Sequence, residues 1–189
     1  MSVMIDTIAK KRAWIKEIVR DIAAAFCGSI VIAMAAPLSY QLPFTLIPLS
    51  IQPHVALLVA FLLGKRGGPI AVAMFIAQGA MGAPIFSGGA FGLANLLGPR
   101  GGYLAGYFMA AIFIGNYKPT TYVKTFLLFT GANAIIYLFG AFWLSSFIGP
   151  LKSLSLGVLP FLLGDAIKLL IITKVAMLSS FNSTFQRKF

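Results

Sequence analysis

Cysteine, histidine and acidic residues are all scarce in this sequence. Its 189 residues include one Cys, one His and four Asp or Glu. A single cysteine, Cys27, excludes an internal disulfide framework. The scarcity also argues against an intramembrane enzyme, because such an enzyme needs paired carboxylates or a His-centred cluster at membrane depth.

Charged residues of either sign are few, whereas apolar residues are abundant. Charged side chains make up 10% of the chain and hydrophobic ones 59%, while soluble domains carry about 25% charged residues. A water-soluble core cannot absorb this much apolar surface. No linker interrupts the pattern, so we predict one membrane domain over residues 1–189, with a basic segment at about 1–17, a helical bundle at about 18–180 and a short tail.

Hydrophobic segments recur along the chain, separated by Pro/Gly-rich or charged breaks. Six of them run approximately over 18–36, 51–63, 70–83, 102–115, 123–147 and 159–178. The second, third and fourth are short for a spanning helix, which needs about 20 apolar residues. We predict an all-α integral membrane protein, a compact bundle of six transmembrane helices.

The formal net charge of +11 suggests nucleic-acid binding until the positions of the cations are considered. Most Lys and Arg residues lie at the ends of hydrophobic segments, as membrane topology requires. One predicted side holds Lys10, Lys11, Arg12, Lys16, Arg20, Lys65, Arg66, Lys118, Lys124, Lys174, Arg187 and Lys188, and the other holds Arg100 and Lys152. Short cytoplasmic loops are rich in Lys and Arg, so both termini are predicted in the cytoplasm with an even number of spans.

Small residues at four-residue spacing allow two helices in lipid to approach closely. The first predicted helix carries Ala25 with Ser29, and the fourth carries Gly102 with Gly106 after Gly98. Two interpretations stay open. These faces pack within the bundle, or one of them receives a partner subunit.

Three of the four acidic residues lie in or beside the basic N-terminal region, and Asp165 alone is predicted at membrane depth, about 9 Å from the non-cytoplasmic end of the last helix. Lys168 follows three positions later, so the two side chains share one helical face. Ionisable groups in a bilayer are costly and normally face a cavity or a partner. Asp165 and Lys168 therefore form a structural ion pair or a site for a neutral polar ligand that offers both N–H and C=O, such as a urea or an amide.

Three further features have two interpretations each. The glycine-rich stretch 82–103 is too broken for a spanning helix, and it either lines a cavity or is a tight re-entrant connector. The uncharged stretch 37–48 is either a lid over an outward-facing site or a Pro-rich turn. His54 has no acidic or cysteine neighbour at ligand spacing, which favours packing or a helix-end hydrogen bond over metal binding or catalysis.

Five motifs together resemble the BioY family, the biotin-specific S components of energy-coupling factor (ECF) transporters. They are Pro48-Leu49-Ser50-Ile51-Gln52, Leu63-Gly64-Lys65-Arg66-Gly67, Gly82-Ala83-Pro84-Ile85-Phe86-Ser87-Gly88-Gly89, the run from Leu97 through Gly102-Tyr103 to Gly106, and Pro160-Phe161-Leu162-Leu163-Gly164-Asp165-Ala166-Ile167-Lys168. The resemblance covers nearly the whole chain beyond the first twenty residues. The loop that ends Gly-Gly-Tyr and the Pro-Phe-x-x-Gly-Asp-x-x-Lys signature are its two most specific parts.

The resemblance implies a six-helix membrane carrier with a biotin pocket on the extracytoplasmic side. It implies no catalytic residue, no metal and no cofactor, with biotin as the transported ligand. The substrate-binding positions implied or proposed with it are Asp165, Lys168, Gly88, Gly89, Phe86, Gln52, Asn95, Gly98, Arg100, Gly101 and Tyr103. Asp165 and Lys168 are expected to hold the ureido ring.

The resemblance also implies partners, namely a transmembrane coupling protein and two cytoplasmic ATPases in a bacterial cytoplasmic membrane. Ala25 and Ser29 of the first helix are the expected docking residues. The chain departs from the family pattern at three places. Arg100 replaces a usual Thr and is a candidate partner for the biotin carboxylate, Pro53 replaces another Thr, and Ser29 replaces an alanine. A carrier that works without ATPases and an intramembrane enzyme are the alternative functions.

Overall fold

The chain is helical almost throughout. The computed structural model describes residues 2–41, 43, 45–119 and 121–186, with side chains described for 10–12, 14–41, 43, 45–119 and 121–179. Arg187 and Lys188, used above in predicting topology, lie outside the described residues. In chain order the elements are α1 (Ser2–Met34), β1 (Ser39–Tyr40), β2 (Leu49–Ser50), α2 (Gln52–Ala80), α3 (Leu93–Leu97), α4 (Gly101–Gly115), α5 (Tyr122–Ile148), α6 (Pro150–Gly157) and α7 (Leu159–Gln186).

Within the described residues, three helical stretches are long and apolar enough to cross a membrane. They are Gln52–Ala80, Tyr122–Ile148 and Pro150–Ser179, and the shorter Gly101–Gly115 is also apolar. The only regular strands in the described part are β1 and β2, which pair antiparallel over two residues each. The prediction of an all-α membrane fold is confirmed.

Helix α2 consists of two arms, because the backbone leaves helical geometry at Gly64, where φ is 70° and ψ is −161°. A positive φ is open to glycine at little steric cost, so this residue permits the bend. The two arms correspond to the second and third predicted segments, although the helix resumes well before the predicted start at Ile70 and contains Pro69. At the bend, Gly115 at the end of α4 packs so closely that a Cβ there would lie 2.9 Å from the Gly64 carbonyl oxygen.

That contact places the Lys65–Arg66 pair and the α4–α5 loop at the same end of the bundle, as the charge pattern predicted. Helix α1 begins at Ser2, so the basic segment expected before the bundle is continuous with the first helix. Helices α3 and α6 are short elements that the hydrophobic segments did not indicate. Each occurs next to a glycine-containing turn, Gly98 after α3 and Gly149 before α6.

Helix α1 packs against α2 through its small residues. A Cβ at Gly28 would lie 2.8 Å from Val59 Cγ1, and Gln78 Nε2 donates a 3.0 Å hydrogen bond to Ser29 Oγ. Ala25 and Ser29 both have no exposed surface. Ala25 and Ser29 therefore pack inside the bundle, where their small side chains bring α1 close to α2, and no observation here tests their predicted docking role.

The glycines of α4 perform the same task against α5. A Cβ at Gly102 would lie 2.2 Å from Trp143 Cβ and 2.6 Å from the Phe139 carbonyl oxygen, and one at Gly106 would lie 2.9 Å from Ile136 Cα. These contacts involve backbone and Cβ atoms, which cannot rotate away. The α4–α5 interface therefore tolerates no side chain at either position without the helices separating.

We expect Gly102→Ala to lower the free energy of unfolding by about 1–3 kcal/mol, because the added methyl overpacks a rigid contact. Thermal unfolding of the detergent-solubilised protein, followed by tryptophan fluorescence, measures this. Gly131→Ala in α5 is the matched control, since its new Cβ would meet Phe113 at an ordinary 3.5 Å. Equal melting temperatures for the two variants would contradict the packing argument.

Candidate functional site

Asp165 and Lys168 face the interior of the bundle from α7. Lys168 Nζ donates a 2.9 Å hydrogen bond to Asp165 Oδ1 and a 3.0 Å hydrogen bond to the carbonyl oxygen of Ser50. Asp165 is only 6% exposed. The sequence predicted the pair from its spacing, and the structure adds that Lys168 also anchors β2, which directly precedes α2.

Two residues that the sequence did not associate with Asp165 approach its second carboxylate oxygen. The Tyr137 hydroxyl of α5 donates a hydrogen bond to Oδ2. His54 Nε2 of α2 lies 3.8 Å from the same oxygen. Tyr137 is embedded in an apolar run, where a buried hydroxyl normally finds a partner. This apolar context was the only sequence signal for Tyr137, and nothing in the sequence indicated that Asp165 is its partner.

Two adjoining cavities lie near this site. Asp165 and Tyr137 line the second of them, whereas Lys168 and His54 line neither. The first has a volume of about 40 Å³ and is lined by Ile47, Pro48, Phe86, Ser87, Asn95, Arg100, Tyr103, Leu104 and Tyr107. The second has a volume of about 50 Å³ and is lined by Ile47, Pro48, Ser50, Pro53, Tyr103, Tyr107, Asn133, Ile136, Tyr137, Phe161 and Asp165. Ile47, Pro48 and the two tyrosines are common to both, so these four side chains separate the two spaces.

The glycine-rich loop between α2 and α3 forms part of the first cavity. Gly88 and Gly89 have φ values of 78° and 74°, which turn the chain back on itself, and Phe86 and Ala90 pair across the turn. The Phe86 ring is 3% exposed and packs edge-on against Phe75 with ring centroids 5.5 Å apart. The prediction that this stretch lines a cavity holds for Phe86, whereas Gly88 and Gly89 shape the turn and line neither cavity described above.

Gln52 and two serines connect this loop to α1 and α2. Gln52 Nε2 donates to the carbonyl oxygens of Ile32 at 3.1 Å and Ile85 at 2.8 Å. The Ser87 hydroxyl lies 3.0 Å from both Gln52 Oε1 and Ser50 Oγ, and its single proton serves one of them at a time. Gln52 is 1% exposed. The structure therefore gives it a positioning task, holding three segments together, rather than a place on either cavity wall.

Arg100 lies at the other end of the site, on the turn between α3 and α4. Its guanidinium donates to the Leu46 carbonyl at 3.4 Å, the Ser87 carbonyl at 3.4 Å and Gln41 Oε1 at 3.1 Å. Partial burial lowers the pKa of this guanidinium, but an arginine side chain keeps its charge in proteins. Arg100 therefore joins the α1–α2 loop to the glycine-rich loop and presents a positive charge to the first cavity.

The remaining predicted residues stabilise the same turn. Tyr103 contributes to both cavity walls, and its hydroxyl donates a 2.8 Å hydrogen bond to the Gly157 carbonyl. Asn95 Nδ2 donates to the Phe91 carbonyl at 2.6 Å, and its side chain lines the first cavity. Trp143 Nε1 donates to the Gly98 carbonyl at 3.0 Å. A Cβ at Gly101 would lie 1.8 Å from the Leu96 carbonyl oxygen, so Gly98 and Gly101 act through the backbone.

Together these contacts form one polar path across the bundle. It leads from the guanidinium of Arg100 through Ser87 and Ser50 to the ammonium of Lys168 and the carboxylate of Asp165. One end offers a cation, and the other offers a donor and an acceptor side by side. Within the described residues, no group of three or more His, Cys, Asp or Glu is placed to hold a metal ion. Such a site suits an elongated ligand with an anionic group at one end and an amide-like group at the other.

Comparison with known proteins yields one consistent result. The "Probable biotin transporter BioY" of Pyrococcus horikoshii is 34% identical over 122 residues, covering 65% of this chain and 74% of that protein. The "Biotin transporter BioY" of Thermotoga maritima is 34% identical over 140 residues, covering 72% of this chain and 83% of that protein.

A solved structure shares the fold. The crystal structure of the S-component for biotin from an ECF-type ABC transporter superposes with a TM-score of 0.77 at 25% sequence identity, covering 86% of this chain and 91% of that one. The profile of the BioY family matches residues 6–186. Because that match includes almost the entire sequence, the chain belongs to the BioY family.

Proposed function

We propose that this protein is the biotin-binding membrane component of an uptake system, which captures biotin from the external side and delivers it to the cytoplasm. The names of its relatives and the shared S-component fold support the substrate and the process. The observation that carries the proposal is the buried Asp165 carboxylate, which lines a cavity and is paired with the partly buried Lys168. Stability alone is a weak reason for such a pair, because variants in which apolar residues replace a buried ion pair are often as stable or more stable.

The chemistry of the pair fits the ureido group of biotin. Lys168 engages two of its three N–H donors, one with Asp165 and one with Ser50. The third is available for the ureido carbonyl oxygen. The Asp165 carboxylate has about four lone-pair positions, and Lys168 and Tyr137 occupy two of them. A ureido N–H can therefore be accepted without breaking either contact.

The other end of the site fits the carboxylate of the valeryl chain. Arg100 uses three of its five N–H groups on Leu46, Ser87 and Gln41. The remaining two are sufficient for a charge-assisted hydrogen bond to a carboxylate at the first cavity. Phe86, Tyr103 and Tyr107 supply apolar walls for the rings and the chain between the two ends.

Biotin entry requires the walls to move. Ligand pockets usually have volumes of about 300–1,000 Å³, whereas the two cavities measure about 40 and 50 Å³. Four side chains separate them, of which Ile47 and Pro48 belong to the α1–α2 loop, and Arg100 holds that loop through the Leu46 carbonyl. Displacement of this loop would merge the two spaces and admit the ligand.

Release into the cytoplasm requires partners on this proposal, namely an ECF transmembrane coupling protein and two ATPases. The ECF system named for the structural relative supports this choice over a solitary carrier.

Since Ala25 and Ser29 are buried, we assign docking to the opposite face of α1, where Ala23 and Cys27 are exposed at four-residue spacing. On the same proposal, the protein resides in a bacterial cytoplasmic membrane, and both of its termini face the cytoplasm.

We expect Asp165→Asn and Lys168→Ala each to weaken biotin binding at least tenfold, because each removes a charge-assisted hydrogen bond worth about 1.5–3 kcal/mol. Isothermal titration of the purified protein measures the affinity. Lys174→Ala is the matched control, because Lys174 is an exposed lysine on the same helix. This variant should bind biotin with wild-type affinity. Wild-type affinity in both site variants would remove this site assignment.

We expect Arg100→Gln to weaken binding of biotin more than binding of biotin methyl ester, because only biotin presents an anionic carboxylate to the guanidinium. The loss of affinity for biotin should exceed the loss for the methyl ester about tenfold. Competitive titration of both ligands against wild type and variant measures the two losses. Arg66→Gln, at the opposite end of the bundle, is the control. An equal loss for both ligands would assign Arg100 to loop closure alone.

We expect Ala23→Trp and Cys27→Trp to abolish biotin uptake by cells while leaving biotin affinity of the purified protein within about twofold of wild type. A bulky side chain on the docking face blocks close helix approach without touching the ligand site. Leu138→Trp is the control, since this α5 residue is 69% exposed on another helix. Uptake that persists in cells without the coupling subunits would instead support the solitary carrier.

A further inference from the structure

His54 is the described residue whose polar atoms are least satisfied. It is the third residue of α2, has no exposed surface and places both ring nitrogens in the interior without a hydrogen-bond partner. The packing expected from the sequence is present, but the expected helix-end hydrogen bond is not made by its ring. A buried imidazole without partners destabilises a fold, and an apolar side chain of similar size would avoid that penalty.

The surroundings of the ring show what could satisfy it. His54 Nε2 lies 3.8 Å from Asp165 Oδ2, which is less than 1 Å beyond the usual hydrogen-bond range of about 2.7–3.2 Å. Asp165 Oδ2 already accepts from Tyr137, and Oδ1 accepts from Lys168. A small rotation of the carboxylate or a small shift of α7 toward α2 would complete a third contact.

Ligand binding supplies a reason for such a rotation. When a ureido N–H approaches Asp165, the carboxylate has to turn one lone pair toward the ligand. All three Lys168 donors are then engaged, on Asp165, Ser50 and the ligand carbonyl, so Lys168 has no further N–H with which to hold the turned carboxylate. A new donor on Oδ2 would hold the carboxylate in the plane that the ligand needs.

We propose that His54 is a positioning residue for biotin, which donates from Nε2 to Asp165 Oδ2 and fixes the carboxylate when the ureido group binds. This inference rests on the proposed function and deepens it, because it adds a determinant of affinity that does not touch the ligand. His54 acts on α7 from α2, so it also links the ligand-binding carboxylate to the helix that follows the α1–α2 loop.

The test is titration of biotin against wild type, His54→Leu and His54→Gln, together with their melting temperatures. We expect His54→Leu to weaken binding about tenfold without a lower melting temperature, since leucine fills the space but donates nothing. His54→Gln keeps a side-chain N–H donor and should restore affinity to within about threefold of wild type. A purely structural histidine would not show this rescue.

A double-mutant cycle with Asp165→Asn distinguishes action through the carboxylate from a separate effect. In the Asp165→Asn background, His54→Leu should change the affinity by less than twofold. The inference is overturned if His54→Leu binds like wild type, if His54→Gln is as weak as His54→Leu, or if the two losses simply add. Failure of the wild type itself to bind biotin would overturn the proposed function, and with it this inference.

Discussion

The site depends on accommodating one carboxyl group in the interior of a membrane bundle. Away from water, Asp165 is tolerable only if other polar groups replace its hydration. Helix α7 supplies Lys168 one turn away, and α5 supplies Tyr137. Lys168 in turn needs a second acceptor and finds it on the backbone of Ser50. Solvation of a single group thus requires three distant segments of the chain to meet at one point.

Close helix packing makes that meeting possible. Gly102 and Gly106 bring α4 against α5 at separations that any larger residue would prevent, and Gly28 lets α1 lie close against side chains of α2. The bend at Gly64 lets α2 return through the bundle without a long loop. Small residues therefore contribute to the site at a distance, because they set how near the polar side chains of different helices can approach one another.

Predictions from the sequence succeeded where the physical cause is local. Hydrophobic runs indicated membrane helices because a helix that spans a bilayer needs about 20 apolar residues in succession. The spacing of Asp165 and Lys168 placed both on one face because residues three apart lie on the same side of a helix. The glycine-rich stretch contains the irregular backbone that its composition indicates, and of its two interpretations the structure supports the cavity wall at Phe86. The sequence left the role of Ala25 and Ser29 open, because a small-residue pattern shows that something packs closely but not which helix does so.

The sequence by itself determined the membrane class, the order of the main apolar segments and the identity of the charged pair, since composition and short-range periodicity carry that information. Only the tertiary structure decided that Tyr137 and His54 surround Asp165, that Ser87 and Ser50 connect Lys168 to Arg100, and that Gln52 holds the segments in place rather than lining a cavity. These partners are separated by tens of residues along the chain. Their proximity follows from how the helices pack, and helix packing is a property of the whole bundle.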